Sequence, residues 1–482
     1  MPTPTAADFI AIAPEIILTI TAGLILIIEA FLTRLRRSFS SLAMLAIAGA
    51  IWTRLSLELP GSVWAGMLRI DELAAFVDTY ILIAVFLSIW MAGPFMRRTG
   101  TDSGEFYSLL LLATVGSMVM ACSVNLLPIF LGLELLSIPL YVLNAFLRRN
   151  AVSVEAGLKY FVVGAFASAF VAYGMALLYG GSASMNLADV GRQVVELGSL
   201  SPLTAVGLAM VFGGLAFKLA LVPCHAWAPD VYQGSPTPVT AFLSVVPKGA
   251  ALIVLLRMVE GMDLLHISPR WVVAASVVAV VSQTLGNVVA IVQRDIKRML
   301  AYSGVAHMGY ALVAVIVAGT DGGAAVLVYL AAYTVMNIGA FACIAQLSDR
   351  EDRPHLISDL AGQGYNRPIS ALALTICLFA LSGIPPFIGF TAKFLVFRAA
   401  VNQGFVWLAV VGVVNSLISV FYYVRVIYIL YMHELPEKRP EYGFSLAICC
   451  TASLAALGTL LLGIYPTVVL AAAQSAILGL AR

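Results

Sequence analysis

Apolar runs of about twenty residues recur along all 482 residues of this chain, and that feature restricts its fold more than any motif does. A run of that length spans a hydrocarbon core of roughly 30 Å as a helix, the form in which a segment satisfies its own backbone polar groups in lipid. Charged residues make up 11% of the sequence and hydrophobic ones 61%; a soluble domain carries roughly a quarter charged residues. So few charges cannot cover a water-facing surface. The fold class is therefore all-α, a polytopic membrane protein with about fourteen transmembrane helices. The expected spans are 8–32, 38–53, 73–96, 106–124, 126–146, 157–180, 204–231, 239–259, 271–292, 299–318, 324–346, 369–401, 405–432 and 444–465.

An even number of crossings puts both termini on one side, and loop cations say which. The loops opposite the N-terminus hold Arg34, Arg36, Arg37, Arg97, Arg98, Arg148, Arg149, Arg294, Lys297, Arg298, Arg350, Arg353, Arg367, Lys438 and Arg439. The N-terminal side holds Arg54, Arg69, Arg192, Arg270 and Arg482. Fifteen against five predicts both termini outside the cytoplasm. Met1 to Ile28 has acidic Asp8 and Glu15 but no Lys or Arg, so it reads as a retained first helix and not a signal peptide.

Seven cations fall inside the predicted helices. Lys159, Arg257, Arg398 and Arg425 lie within about two turns of a helix end, where a long side chain reaches the interface. Lys218, Lys248 and Lys393 lie deeper, as does Glu134. An ionisable group at that depth costs at least about 2.5 kcal/mol, so it normally has a partner or a task. Three lysines cannot neutralise one another, which argues against their being simple helix-to-helix contacts. These four residues are the functional candidates. Burial disfavours an ammonium and a neighbouring carboxylate favours it, so a deep lysine can be switched between holding and releasing a proton. His307, two turns into the tenth span, reads equally as a relay imidazole or as a core imidazole bonded to a carbonyl. Glu29 and Asp78 are read as partners of loop cations or of a neighbouring subunit.

Proline interrupts two spans, at Pro223 in the seventh and at Pro385-Pro386 in the twelfth, and each helix should break within the membrane. Irregular backbone at that depth survives where it is buried in protein or lines a wet cavity. Broken helices beside buried charge, in corresponding halves of a chain, point to inverted repeats around an ion path. With spans four to eight as one repeat and nine to thirteen as the other, each broken helix is fourth of five. His225 and Asp230 are expected to cap loose backbone after the first break. The domain division that follows is 1–105, 106–260, 261–433 and 434–482.

Nothing in the sequence suggests a cofactor in this chain. Cys122, Cys224, Cys343, Cys377, Cys449 and Cys450 form no C-x-x-C and no cluster with His, and read as small buried hydrophobes. There is no phosphate-binding glycine loop and no metal site. A net charge of +2 without a long basic tract sets nucleic acid aside.

The stretch from Lys218 through Trp227-Ala228-Pro229-Asp230-Val231-Tyr232-Gln233-Gly234-Ser235-Pro236-Thr237-Pro238 to Pro247-Lys248 resembles the antiporter-like membrane subunits of proton-pumping NADH-quinone oxidoreductase, respiratory complex I. Ala306-His307-Met308-Gly309-Tyr310 and Gly383-Ile384-Pro385-Pro386-Phe387 before Lys393 fit the same family. Within it the chain is most similar to subunit N: it has a lysine in the twelfth helix where subunit M has a glutamate, and no lateral helix of the subunit L kind. The resemblance implies two inverted five-helix repeats and a relay in which Glu134 pairs with Lys218, Lys248 is central and Lys393 faces the exit. It implies further that NADH, FMN, iron-sulfur clusters and quinone belong to partner subunits. The expected partners are other membrane-arm subunits, especially subunits M and K, together with lipids, in a bacterial inner membrane. Relatives in multisubunit sodium/proton antiporters leave a cation/proton antiporter subunit as the alternative, and a structural spacer is a third reading.

Overall fold

Polar residues placed just before apolar runs start several of the helices. Asp71, Asn125, Asn150, Ser201, Asp295 and Ser445 each accept a backbone N–H from the first turn that follows, which satisfies a donor that lipid cannot. The computed structural model describes residues 4–197, 200–264, 269–349, 352, 356–434 and 443–480. Among them, thirteen helices are long and apolar enough to cross a membrane. The twelfth span brings the number to fourteen, because it is divided into Pro368–Ser382 and Ile388–Asn402. Arg350, Arg353, Lys438, Arg439 and Arg482 of the loop-cation count lie outside the described residues.

The fourteenth span is also divided, which the sequence reading missed. Leu446–Ile464 is followed after Pro466 by Thr467–Leu480. Both pieces run antiparallel to the eleventh span, Gly319–Gln346: Ala455 lies against Gly339 and Ile477 against Gly323. Arg69 donates to the carbonyl of Gly479 at 3.3 Å, and Trp64 in the same hairpin donates to Asp8 at 2.6 Å. Both ends of the chain therefore lie on one face. That hairpin, Gly61–Val63 with Leu68–Ile70, is a short antiparallel pair in a chain read as all helix. The Thr5 and Trp64 backbone N–H groups beside Asp8 hold its carboxyl below the usual range.

The two halves repeat each other with opposite orientation. Asn125, before the fifth span, bridges to Asn186 after the sixth; Asp295, before the tenth, bridges to Leu356 after the eleventh. Both broken spans end their first piece on a left-handed residue, Ala220 (φ 56°) and Gly383 (φ 85°), and each continues through a cis X-Pro bond. Five is odd, so the second set enters from the other face. The eighth span, Thr237–Gly261, is buried from Thr237 through Val259 and forms the axis of the bundle. A helix apolar on every side belongs there.

Several charged residues sit differently from the reading of the sequence. Arg257 does not reach the interface: it is 2% exposed and makes a two-pronged ion pair with Asp71 at 2.7 and 3.0 Å. Arg54 is not a loop residue but ends the second span, Phe39–Ser56, where it meets Glu15 and Asp78, both at 2.8 Å. Lys297 is wholly buried and pairs with Asp352 at 3.0 Å. In each case the partner comes from a distant segment, which periodicity cannot reveal. Glu29 meets Arg36 at 3.3 Å, as a loop-cation pair. Lys159 is partly exposed, as expected, and pairs with Glu155 and Asp230.

Candidate functional site

Each break is closed by groups from its own second piece and from a neighbouring span. After the first, Val222 donates its N–H to Ser282 at 2.9 Å, and the Trp227 indole donates to the Phe217 carbonyl at 3.0 Å. After the second, the Ser382 carbonyl accepts from the Lys393 ammonium at 3.0 Å. A cation at the open C-terminal end of a helix is favoured by the helix dipole. Asp230 does not serve as a cap through its side chain, whereas His225 bonds the backbone of Pro223 at the break. The His225 Nδ1 has no partner among the described residues, and Asp230 instead binds Lys159 at 2.7 Å and Arg298 at 2.6 Å. Cations outcompete backbone N–H groups for a carboxylate because both members carry full charge.

The breaks and the eighth span bring the three lysines and the histidine into one row. Lys218 is buried at the end of its half-helix, with Nζ 3.4 Å from the Tyr160 hydroxyl and 5.2 Å from that ring's centre. Tyr160 lies 4.8 Å from the Trp227 ring, and Trp227 lies 6.4 Å from Tyr232. Tyr232 in turn presents its face to Lys248 at 5.4 Å. His307 follows beyond Tyr333, at 5.1 Å between rings; it shares a 2.7 Å bond with the Tyr329 hydroxyl through Nδ1 and a 3.2 Å bond with Tyr423 through Nε2. Tyr310 is 5.9 Å from His307 and 5.1 Å from the Lys393 ammonium, which also donates to Ser416 at 2.9 Å.

Glu134 is the exception. It makes no ion pair among the described residues, and its Oε1 is buried without a hydrogen-bond partner. The expected direct pair with Lys218 is not formed here; the nearer group to Lys218 is a phenol. Tyr141, on the helix of Glu134, lies 5.8 Å from Lys218 and 5.3 Å from the ring of Tyr160 on the sixth span, so the carboxylate's helix reaches the lysine through a phenol ring.

The aromatic links were missed in the sequence. Tyr160, Tyr232, Tyr310, Tyr329, Tyr333 and Tyr423 are all buried. A signal existed: a buried tyrosine normally finds a partner for its hydroxyl, so tyrosines recurring inside apolar spans point to an internal polar path. Gly304 was missed as well. Counted from the caps Asn125 and Asp295, it stands in the second half where Glu134 stands in the first. A Cβ on Gly304 would lie 2.7 Å from the Lys248 ammonium nitrogen and 2.9 Å from the Tyr333 hydroxyl. In catalysis a displacement of about 1 Å can cost about 100-fold. Gly304→Ala is thus expected to lower proton transport at least several-fold while leaving assembly intact, because the displaced atom ends a flexible chain. Dye-reported acidification in vesicles checks this; transport at the wild-type rate would free Lys248 from any need for its present position.

Lys248 has no hydrogen-bond partner among the described residues. An ammonium there requires acceptors that the protein does not supply, so water must reach it whenever it carries a proton. The arrangement suits stepwise passage of protons between separated basic groups. The described residues include no cluster of three or more His, Cys, Asp or Glu fit to hold a metal.

A family model described as NADH:quinone oxidoreductase/Mrp antiporter, TM, matches residues 123–419, which contain both breaks, the three lysines and His307. The chain belongs to that family. Full-length relatives place it within the antiporter family's subunit N branch. The subunit N of NADH-quinone oxidoreductase from Trichlorobacter lovleyi is 38% identical over 473 residues, covering 97% of this chain and 96% of that one. The subunit N 2 of Roseiflexus castenholzii is 40% identical over 474 residues, covering 95% and 94%. Among solved structures, a chain of respiratory complex I from Thermus thermophilus with bound aureothin superposes with a TM-score of 0.82 at 31% identity, over 96% of this chain and all of that one. A chain of the Mrp complex from a Dietzia species gives a TM-score of 0.83 at 22% identity, over 98% and 97%, and shares the fold.

Proposed function

We propose that this chain works as a proton-translocating membrane subunit of an NADH-quinone oxidoreductase. One observation carries the reading: three buried lysines and a buried histidine lie in a single row, joined by tyrosines and flanked by two broken helices. Lys218, Lys248, His307 and Lys393 hold and pass protons along the row. Glu134 modulates Lys218 from beyond Tyr141, without touching it in this state. Residues 106–260 and 261–433 act as two half-channels, with 1–105 and 434–482 flanking them. Electron transfer to quinone belongs to partner subunits, and the neighbours in the membrane are expected to be subunits of the M and K kinds. The full-length subunit N relatives support this assignment over a free-standing antiporter, whose subunits share the matched family.

Purification of the tagged chain under mild detergent tests it. Co-purification with a redox module and other membrane-arm subunits is expected, as is the absence of stoichiometric flavin, iron or zinc from the separated chain. Recovery with antiporter subunits alone would instead support cation/proton exchange.

The loop-cation bias also supports a cytoplasmic position for the face that carries Asp295. Single cysteines near Asp295 and near Asp263, in a background with Cys224 and Cys450 replaced, are expected to differ in intact cells. The Asp263 site should react with an impermeant maleimide and the Asp295 site should not. The reverse pattern would overturn the orientation.

A further inference from the structure

Outside the lysine row, the first three spans enclose a second group of buried charges that the transport reading does not use. Arg54 reaches inward from the last turn of the second span, and its Nη2 lies 2.8 Å from Glu15 Oε1 and 2.8 Å from Asp78 Oδ2. The three side chains are 1%, 4% and 0% exposed. Nη1 adds a 3.3 Å bond to the Ala11 carbonyl. One guanidinium thus faces two carboxylates, and both attach to the same nitrogen.

Neither carboxylate is fully satisfied. Glu15 Oε2, both Asp78 oxygens and Arg54 Nε are buried without a hydrogen-bond partner among the described residues, so Arg54 meets Asp78 by charge alone. The other cation that acts on Asp78 is Arg257 of the eighth span, but Asp71 takes both ends of its guanidinium and its Nε donates to the Ala121 carbonyl. The remaining titratable groups that face the cluster are the Cys122 thiol at the end of the fourth span and the Tyr80 phenol on the third, and neither brings positive charge. Above the cluster, Ala11, Val63, Leu68, Ile70, Ala74 and Cys122 form a small apolar cap that includes the hairpin. The cap and the burial of all three side chains keep the cluster away from bulk solvent, which leaves a second anion weakly screened.

From this geometry we infer that Glu15 and Asp78 hold one proton between them at neutral pH, as a buried protonation site separate from the lysine row. Two like charges on one cation in a buried interior cannot both persist at little cost, because the second anion gives up bulk hydration and gains no cation of its own. A single proton removes the excess charge and turns one orphaned carboxylate oxygen into a donor. The pair then titrates as a unit and not as two independent acids. The site also lies close to the axis of the bundle. Tyr80, which follows Asp78 on the third span, presses its hydroxyl against Gly249, the residue after Lys248, where a Cβ would stand 2.1 Å from it.

Infrared difference spectroscopy of the whole detergent-solubilised complex tests this, using Asp78→Asn and Glu15→Gln. Subtracting either variant from wild type at neutral pH should leave one carboxylic-acid C=O band per chain, shifted in D2O. Each single variant loses it because the surviving carboxylate ionises against Arg54. Both variants should also assemble and melt close to wild type, since a neutral amide replaces a neutral acid. The double variant should melt lower, having stranded Arg54. Absence of the band in wild type would overturn the site. So would failure of both single variants to assemble, which is the behaviour of two ionised carboxylates that each need Arg54.

Discussion

Replacing Lys218 by arginine is expected to stop proton pumping almost as completely as replacing it by methionine. The two substitutions separate a relay from a fixed charge. Lys218 is buried, with its ammonium against the Tyr160 hydroxyl and over the rings of Tyr141, Tyr160 and Phe217. Arginine keeps the positive charge and stacks on aromatic rings at least as well as lysine, so a merely structural cation would be replaced with little loss. It cannot give up its proton, because its pKa lies above about 12. Proton transfer through a placed side chain is typically worth roughly 10²–10⁴-fold. Loss of that order is therefore expected for both variants once assembly has been verified. Acidification of reconstituted vesicles per NADH oxidised is the measurement. An assembled Lys218→Arg complex that pumps at the wild-type rate and stoichiometry would falsify the relay role.

The second large effect concerns stability. Arg257→Met removes the cation that faces Asp71, whose side chain is 6% exposed, and leaves a buried carboxylate without its bidentate partner. Breaking a buried pair in this way costs about 3–5 kcal/mol. The lower half of that range is expected here, because Arg69 stands 3.5 Å from Asp71 and is itself a third exposed. Had Arg257 reached the interface, as its place near a helix end suggested, its loss would cost under about 1 kcal/mol. Thermal unfolding and the yield of assembled complex tell the two apart. Adding Asp71→Asn to Arg257→Met should restore part of the loss, since asparagine also caps a helix and carries no stranded charge. If Arg257→Met melts with wild type, the pair is not what holds the third and eighth spans together.

Most of the span plan was legible because lipid imposes a simple requirement: each crossing needs about twenty apolar residues. The thirteen long helices fall where the apolar runs predicted, and Pro223 and Pro385-Pro386 mark the two breaks. Proline removes a backbone donor wherever it stands, but it does not always divide a helix: Pro94, Pro139 and Pro247 lie inside continuous ones. Pro466 was passed over because it follows a run already long enough to cross; the contact of Ile477 with Gly323 makes the second piece part of the same span. Family membership, legible in the run from Lys218 to Lys248, is borne out by the match over residues 123–419.

The sequence by itself determined that this chain crosses a membrane many times and that Glu134, Lys218, Lys248, His307 and Lys393 lie within its spans. Depth along a helix is a matter of counting residues. Tertiary structure alone decided what each charge faces. It gave Arg54 two carboxylates and Arg257 one, put Lys297 on Asp352, and left Glu134 without the lysine expected for it. It also interleaved the row with tyrosines from different spans. Helical periodicity gives the side of a helix on which a residue lies; which neighbour occupies that side depends on how helices far apart in the chain come together.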